Sequence, residues 1–185
     1  MQEAARLILM YLVFPLWVAA GFADWACHRR TGIAQTSGLK ENLLHLLMFA
    51  EIGAGMLAVA LFEVNAAVLL AVLAVFAVHE ATVYWDLHYS APRRHIGPFE
   101  QMVHSFLEIL PLLSLALLAA AAWPQALALA GLGSEAADWT LRAKRDPLSH
   151  AYLVGAFLST LAFNAVPLLQ ETWSCWRARA RPAER

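Results

Sequence analysis

Apolar residues in this chain run almost unbroken for about 20 positions at a time, the length a helix needs to cross a bilayer. Polar residues gather at the breaks. The pattern predicts five helical spans, over residues 4–28, 39–62, 66–89, 98–123 and 148–173. Thr31 to Gly38 is a polar turn in which Thr36, Ser37 and Gly38 offer helix-start chemistry. Glu63 to Asn65 is a tight connection, Ser90-Ala91-Pro92 ends the third span, and Gly97-Pro98 opens the fourth. Pro111 is expected to kink that fourth helix. Residues 124–147 do not fit the pattern: Gln125 to Leu132 is apolar but too short to span, and Gly133 to Asp146 is polar with mixed charge. This stretch reads as an extramembrane connection. The tail from Trp176 is arginine-rich and is expected at the membrane surface.

Composition agrees with this pattern. The chain is 61% hydrophobic and 15% charged, with a mean hydropathy of +0.56, which belongs to a membrane protein rather than a soluble core. The expected fold class is therefore all-α, a single transmembrane bundle over residues 1–185. A signal peptide is the competing reading of the first span, since Arg6 precedes an apolar run closing on Val18-Ala19-Ala20. Glu3 weakens that reading, and so do Asp24 and His28 at the far end of the same segment. No basic face supports nucleic-acid binding, and Cys27 and Cys175 form no spacing motif.

Lysine and arginine placement gives an orientation. One side of a five-span topology collects Arg29, Arg30, Lys40, Arg93, Arg94, Arg177, Arg179, Arg181 and Arg185; the other has only Arg6, Arg142, Lys144 and Arg145. The richer side is expected to be cytoplasmic, with the N-terminus opposite and the protein in a bacterial inner membrane.

Charge placement within the spans changes the picture most. Asp24 and His28, Glu41 and His45, and Glu100, His104 and Glu108 recur at four-residue spacing, and His79 and Asp86 lie seven apart. Each spacing keeps its side chains on one helical face. Helix directions alternate, so all of these groups fall at the cytoplasmic ends of four helices. Asp24, Glu41, His45 and His104 lie within roughly 5–11 Å of those ends, and His79, Glu80 and Glu108 nearer roughly 15 Å. Ionisable groups in apolar helices are costly and need a reason. Taken singly, capping and interfacial snorkelling explain most of them; four helices carrying such groups at one depth point to a metal centre. Divalent ions keep buried carboxylates ionised and take neutral imidazole nitrogens.

The expected ligands are Asp24, His28, Glu41, His45, His79, Asp86, Glu100 and His104, holding two transition-metal ions. Iron is the first expectation, because mixed carboxylate and imidazole ligation suits it, with manganese or zinc as alternatives. His45, His79 and His104 would supply the core nitrogens. Glu80 and Glu108 are the candidate catalytic acids, with Glu51 as a further proton relay. On a helical wheel Asp86 lies about 20° from His79 and Glu80 about 100° away, whereas depth favours Glu80. His88, beside Tyr89, reads as interfacial. Arg93, Arg94 and His95 read as a positive-inside loop, and the fifth span, with only His150 and Glu171 near its ends, as scaffold.

The stretch from Asp24-Trp25-Ala26-Cys27-His28 through Glu41-Asn42-Leu43-Leu44-His45, with His79-Glu80, Trp85-Asp86 and Glu100 to Glu108, resembles a group of small bacterial integral membrane proteins with a histidine- and carboxylate-rich four-helix core. That resemblance implies the site but no reaction. A looser similarity links the chain to membrane fatty-acid hydroxylases and desaturases, which hold two irons at cytosolic helix ends. Their H-x-x-H-H boxes are missing here, so none of their residues carries over.

Four functions follow as expectations. An oxidoreductase would act on a lipid or other apolar molecule and need an electron donor. A zinc hydrolase would need a free general base. A metal or proton transporter, or a metal sensor, is a non-enzymatic reading; transport would need a polar path through the opposite half, of which the sequence has almost none. A bis-histidine haem protein would leave the paired acids unexplained.

Overall fold

The computed structural model describes residues 2–180; Met1 and residues 181–185, including the tail arginines Arg181 and Arg185, lie outside them. Among the described residues the secondary structure is helical, with no strand, and residues 131–149 form an irregular connection. The chain forms α1 (Gln2–Thr31), α2 (Gly38–Leu61), α3 (Ala66–Ser90), α4 (Pro98–Ala121), a short α5 (Trp123–Leu129) and α6 (His150–Arg179). All but α5 are long and apolar enough to cross a membrane. α1 and α6 run past the expected spans at Thr31 and Arg179, through polar residues, whereas α4 stops at Ala121 and α6 begins at His150, two residues inside them.

The helix boundaries have local causes. Gly32 ends α1 in the left-handed conformation (φ 70°), and its N–H returns to the His28 carbonyl. The Asn65 side chain caps α3 by accepting from Val68 N. Pro98, following Gly97, opens α4. Prolines also explain two irregularities. Residues Leu9–Val13 of α1 and Leu161–Ala165 of α6 are π-helical, and each lies just before a proline, Pro15 and Pro167. A proline removes one i→i−4 bond and crowds the carbonyl one turn back; widening that turn absorbs the defect. By contrast α4 runs as α-helix through Pro111.

α2 makes its broadest contact with α3, α1 packs on α4, and α6 packs on α2. The apolar centre is built from Val13, Trp17, Val18 and Leu110, with Phe49, Ile52 and Met56 against them. Gly21 of α1 allows a close approach by α6: a Cβ there would lie 2.2 Å from Asn164 Nδ2, whose amide donates to the Val18 carbonyl at 3.3 Å.

The connection between α5 and α6 is tied to the α2–α3 turn. Glu63 N donates to Arg142 O at 2.9 Å, Lys144 N to Leu61 O at 2.9 Å and Ala67 N to Asp138 O at 3.2 Å. Asn65 Nδ2 donates to Thr140 O at 2.8 Å, so one side chain both caps α3 and pins the connection. Asn65→Ala should cost about 1–2 kcal/mol and open residues 131–146 to protease. Unchanged unfolding and cleavage would show that the backbone bonds alone hold the connection.

Candidate metal centre

Two antiparallel junctions, α1 to α2 and α3 to α4, bring polar groups to one end of the bundle, where the last turns of α6 join them. Two imidazoles form the middle. The His28 and His45 rings are stacked, with centroids 4.6 Å apart and planes 13° from parallel. His28 is 1% exposed.

Carboxylates surround this pair. His28 Nε2 lies 3.4 Å from Asp24 Oδ1 and 3.5 Å from Glu100 Oε1. His45 Nε2 lies 3.4 Å from Asp86 Oδ2 and 3.9 Å from Glu41 Oε1. His104 Nε2 approaches Asp24 Oδ1 at 2.9 Å and Glu100 Oε1 at 4.0 Å. Two groups with metal-ligand spacing result: Asp24, His28, Glu100 and His104 form one, and His28, Glu41 and His45 the other, each with ligand atoms within 4.8 Å of one another. His28 belongs to both.

The fifth long helix, expected to be scaffold, supplies a carboxylate at the centre of the site. Glu171 of α6 is buried. Its oxygens lie 3.3 Å from His28 Nδ1 and 3.7 Å from His45 Nδ1, and Asn42 Nδ2 donates to it at 2.9 Å. A lone acid six residues from the arginines of a helix end looks interfacial in sequence. Asn42, a buried amide in the first turn of an apolar helix, was the available sign that α2 meets a polar partner there.

Arg94 departs from expectation too. It lies in the loop between α3 and α4, but its side chain is 1% exposed and turned inward. Its Nε donates to Glu41 Oε1 at 2.8 Å, and its Nη1 donates to Glu100 Oε1. Burial disfavours its charge, yet the bonds and charges of Glu41 and Glu100 outweigh this and hold its pKa above the ordinary value.

The other sequence candidates divide. Asp86 joins the cluster beside His45, whereas Glu80 of the same helix does not line the cavity there. His79 lines that cavity, but its Nδ1 lies 3.3 Å from Glu51 Oε2, so it stands apart from the two ligand groups, and His28 takes the central place expected for it. Thr82 Oγ donates to Glu51 at 2.8 Å. Glu108 is half-buried and lines the cavity. His88 is exposed and stacks on Tyr84. The cavity beside the cluster measures about 130 Å³.

The residues present suit a cation. His28 Nε2, Glu41 Oε2, Asp86 Oδ1, Glu100 Oε2 and Glu171 Oε2 are buried without a hydrogen-bond partner. Such unmet lone pairs are costly in a dry interior. The five carboxylates within 4.0 Å of His28, His45 or His104 (Asp24, Glu41, Asp86, Glu100 and Glu171) meet one guanidinium, Arg94. With the imidazoles neutral, four formal negative charges remain, the number that two divalent ions cancel. The donors are nitrogen and oxygen, without thiolate.

No protein-family model matches this chain, and neither the curated proteins nor the solved structures contain a significant match. The reading of the site therefore rests on its geometry.

Arg94 competes with any cation for Glu41 and Glu100. Arg94→Gln should cost the metal-free protein about 3–5 kcal/mol, because two buried carboxylates lose their counter-charge. Divalent metal should then stabilise the variant more than the wild type. Unfolding with and without metal measures both, and equal stability of the metal-free proteins would show that Arg94 is not the counter-charge.

Proposed function

We propose that this protein is a membrane-embedded dinuclear metal protein, with iron as the first candidate, acting as an oxidoreductase on a lipid or other apolar substrate. One observation carries the reading: two ligand groups share His28, and the five carboxylates around the imidazoles, met by Arg94 alone, carry four uncompensated negative charges, the charge of two divalent ions.

Membrane placement is supported by the five long apolar helices and by their outward side chains, such as Leu57 (61% exposed) and Phe157 (66% exposed). At the cluster end, cationic side chains lie over aromatic rings: Arg29 over Trp25, Lys40 and Arg93 over Tyr89, and Arg177 over Trp173. Amphipathic rings beside cations are characteristic of a headgroup region. Together with the Lys and Arg asymmetry, this favours a cytoplasmic cluster.

In this reading Asp24, Glu100 and His104 complete one metal position with one nitrogen of His28. Glu41, His45 and Asp86 would form the other beside the same His28 ring, which belongs to both groups, and Glu171 lies against the stacked pair. Asn42 and Arg94 orient Glu171, Glu41 and Glu100, as outer partners of metal ligands commonly do. Bound iron would supply one-electron and oxygen chemistry. The protein's own part is to exclude water with Trp17, Phe49 and Ile52 and to place a carboxylate, Glu108, on the cavity wall where a proton can be held. Iron chemistry needs an external electron donor. With zinc in place of iron, the same site would favour hydrolysis.

The shared ligand makes a distinctive expectation for elemental analysis of purified protein. Wild type should hold two transition-metal ions per chain. His104→Ala and His45→Ala should each lose about one, and His28→Ala should lose both while its helical spectrum is retained. Folded wild type free of transition metal would leave the cluster as an ion-pair network and end the proposal. Chelation should lower the thermal unfolding temperature of wild type, and little in His28→Ala.

A further inference from the structure

The cavity beside the ligand cluster is too small for a lipid-sized substrate. About 130 Å³ accommodates ions and a few waters, whereas organic ligands occupy pockets of about 300–1,000 Å³. A second cavity of about 570 Å³ lies in the opposite half of the bundle, and Trp17 and Ile52 line both. Those two side chains, with Phe49 stacked on Trp17 at 6.0 Å, form the partition between them.

The larger cavity is polarised along its length. Its walls are apolar, built from residues such as Val13, Met56, Val72 and Leu118, and its outer end carries the cations Arg6, Lys144 and Arg145 together with the acids Glu3, Glu63 and Asp146. These cations stand on the side of the bundle poor in lysine and arginine. Arg6 is paired with Asp146. Among the described residues, Lys144 and Arg145 have no carboxylate within ion-pair distance; Lys144 Nζ instead donates to the carbonyls of Val59 at 2.7 Å and Phe62 at 3.4 Å. Burial holds the pKa of Lys144 below its ordinary value, although Glu63 and Asp146 act in the opposite sense, and a further anion at its ammonium would act with them. The cavity also has a loose wall. The first half of α6, His150–Thr160, has no buried residue and leans on α1 through Tyr152, whose hydroxyl donates to Met10 O at 3.0 Å. A chain can reach the cavity sideways past such a segment.

We infer that the larger cavity binds a single-chain amphiphile with an anionic head, a carboxylate or a phosphate, held head-out at Lys144 and Arg145 with its chain end against the Trp17–Ile52 partition. This rests on the metal reading only for its consequence: the chain end, not the head, faces the ligand cluster. The depth from Arg6 to Trp17 along α1, about 16 Å at 1.5 Å per residue, suits a long acyl chain.

Photo-crosslinking of full-length protein in lipid nanodiscs tests the inference. Palmitate carrying a diazirine at its terminal carbon should label segments around Val13–Trp17 and Ile52–Met56. A diazirine next to the carboxylate should label Lys144–Tyr152. Met56→Trp, which fills the cavity, should reduce both at least five-fold. Unlabelled palmitate should compete about ten-fold better than its methyl ester, and the Lys144→Gln, Arg145→Gln double variant should abolish that preference. Competition by palmitate against lysophosphatidate identifies the head as carboxylate or phosphate. Labelling confined to outward residues such as Leu57 and Phe157, or insensitive to Met56→Trp, would overturn the inference, as would equal competition by the ester. Elemental analysis of the same samples separates the two ideas: specific labelling of metal-free protein keeps the amphiphile site and removes the metal reading, and metal-loaded protein without specific labelling does the reverse.

Discussion

A charge drawn out of water must meet another charge, and one end of this bundle draws in five carboxylates against a single guanidinium. The rest of that end is arranged around this imbalance. The loop after α3 turns back far enough to bury Arg94 between Glu41 and Glu100. Two imidazoles stack in the middle, so that each presents a nitrogen to carboxylates on either side. Asn42 gives up a buried donor to Glu171. Even so, acceptor atoms on four of the five acids lack partners. Apolar replacements would generally pack as stably as such a network, so stability alone is a poor reason for keeping it.

Much of this was legible in the sequence, because two periodicities act together. Runs of about 20 apolar residues set the helices, and alternating direction then places every i, i+4 pair at one end. Asp24 with His28, Glu41 with His45, and Glu100 with His104 all follow from that step. What the sequence hid depends on side-chain direction across helices. Glu171 has no spaced partner on its own helix; its partners lie on α1 and α2. Arg94 belongs to a basic loop, and a basic loop on that side already has a topological explanation. His79 was placed at the centre by spacing from Asp86, but α3 turns it towards Glu51 on α2. The choice between Asp86 and Glu80 was a matter of helical angle, and angle gave the residue that lies beside His45.

The two ends of the bundle differ in packing as well as in chemistry. At the cluster end every ligand candidate projects from a helix, and α6 is fixed there through Glu171 and the buried Cys175. Sites on packed helices hold their geometry better than sites on loops. At the opposite end the first half of α6 buries nothing, and a large cavity lies beneath it. Few buried contacts imply low local stability.

A single helix therefore has a fixed half and a loose half, and the sequence separates them at one place. Pro167 forces a wide turn at Leu161–Ala165, and Asn164 in that turn donates to the Val18 carbonyl beside Gly21. The contact clamps α6 to α1 just where its fixed half begins. Movement in His150–Thr160 then meets a hydrogen-bonded crossing before it reaches Glu171, almost two helical turns beyond Asn164. The proposed amphiphile cavity at one end and the proposed metal centre at the other would need such a division. Here it is produced by one proline, one asparagine and a glycine without which the helices could not approach.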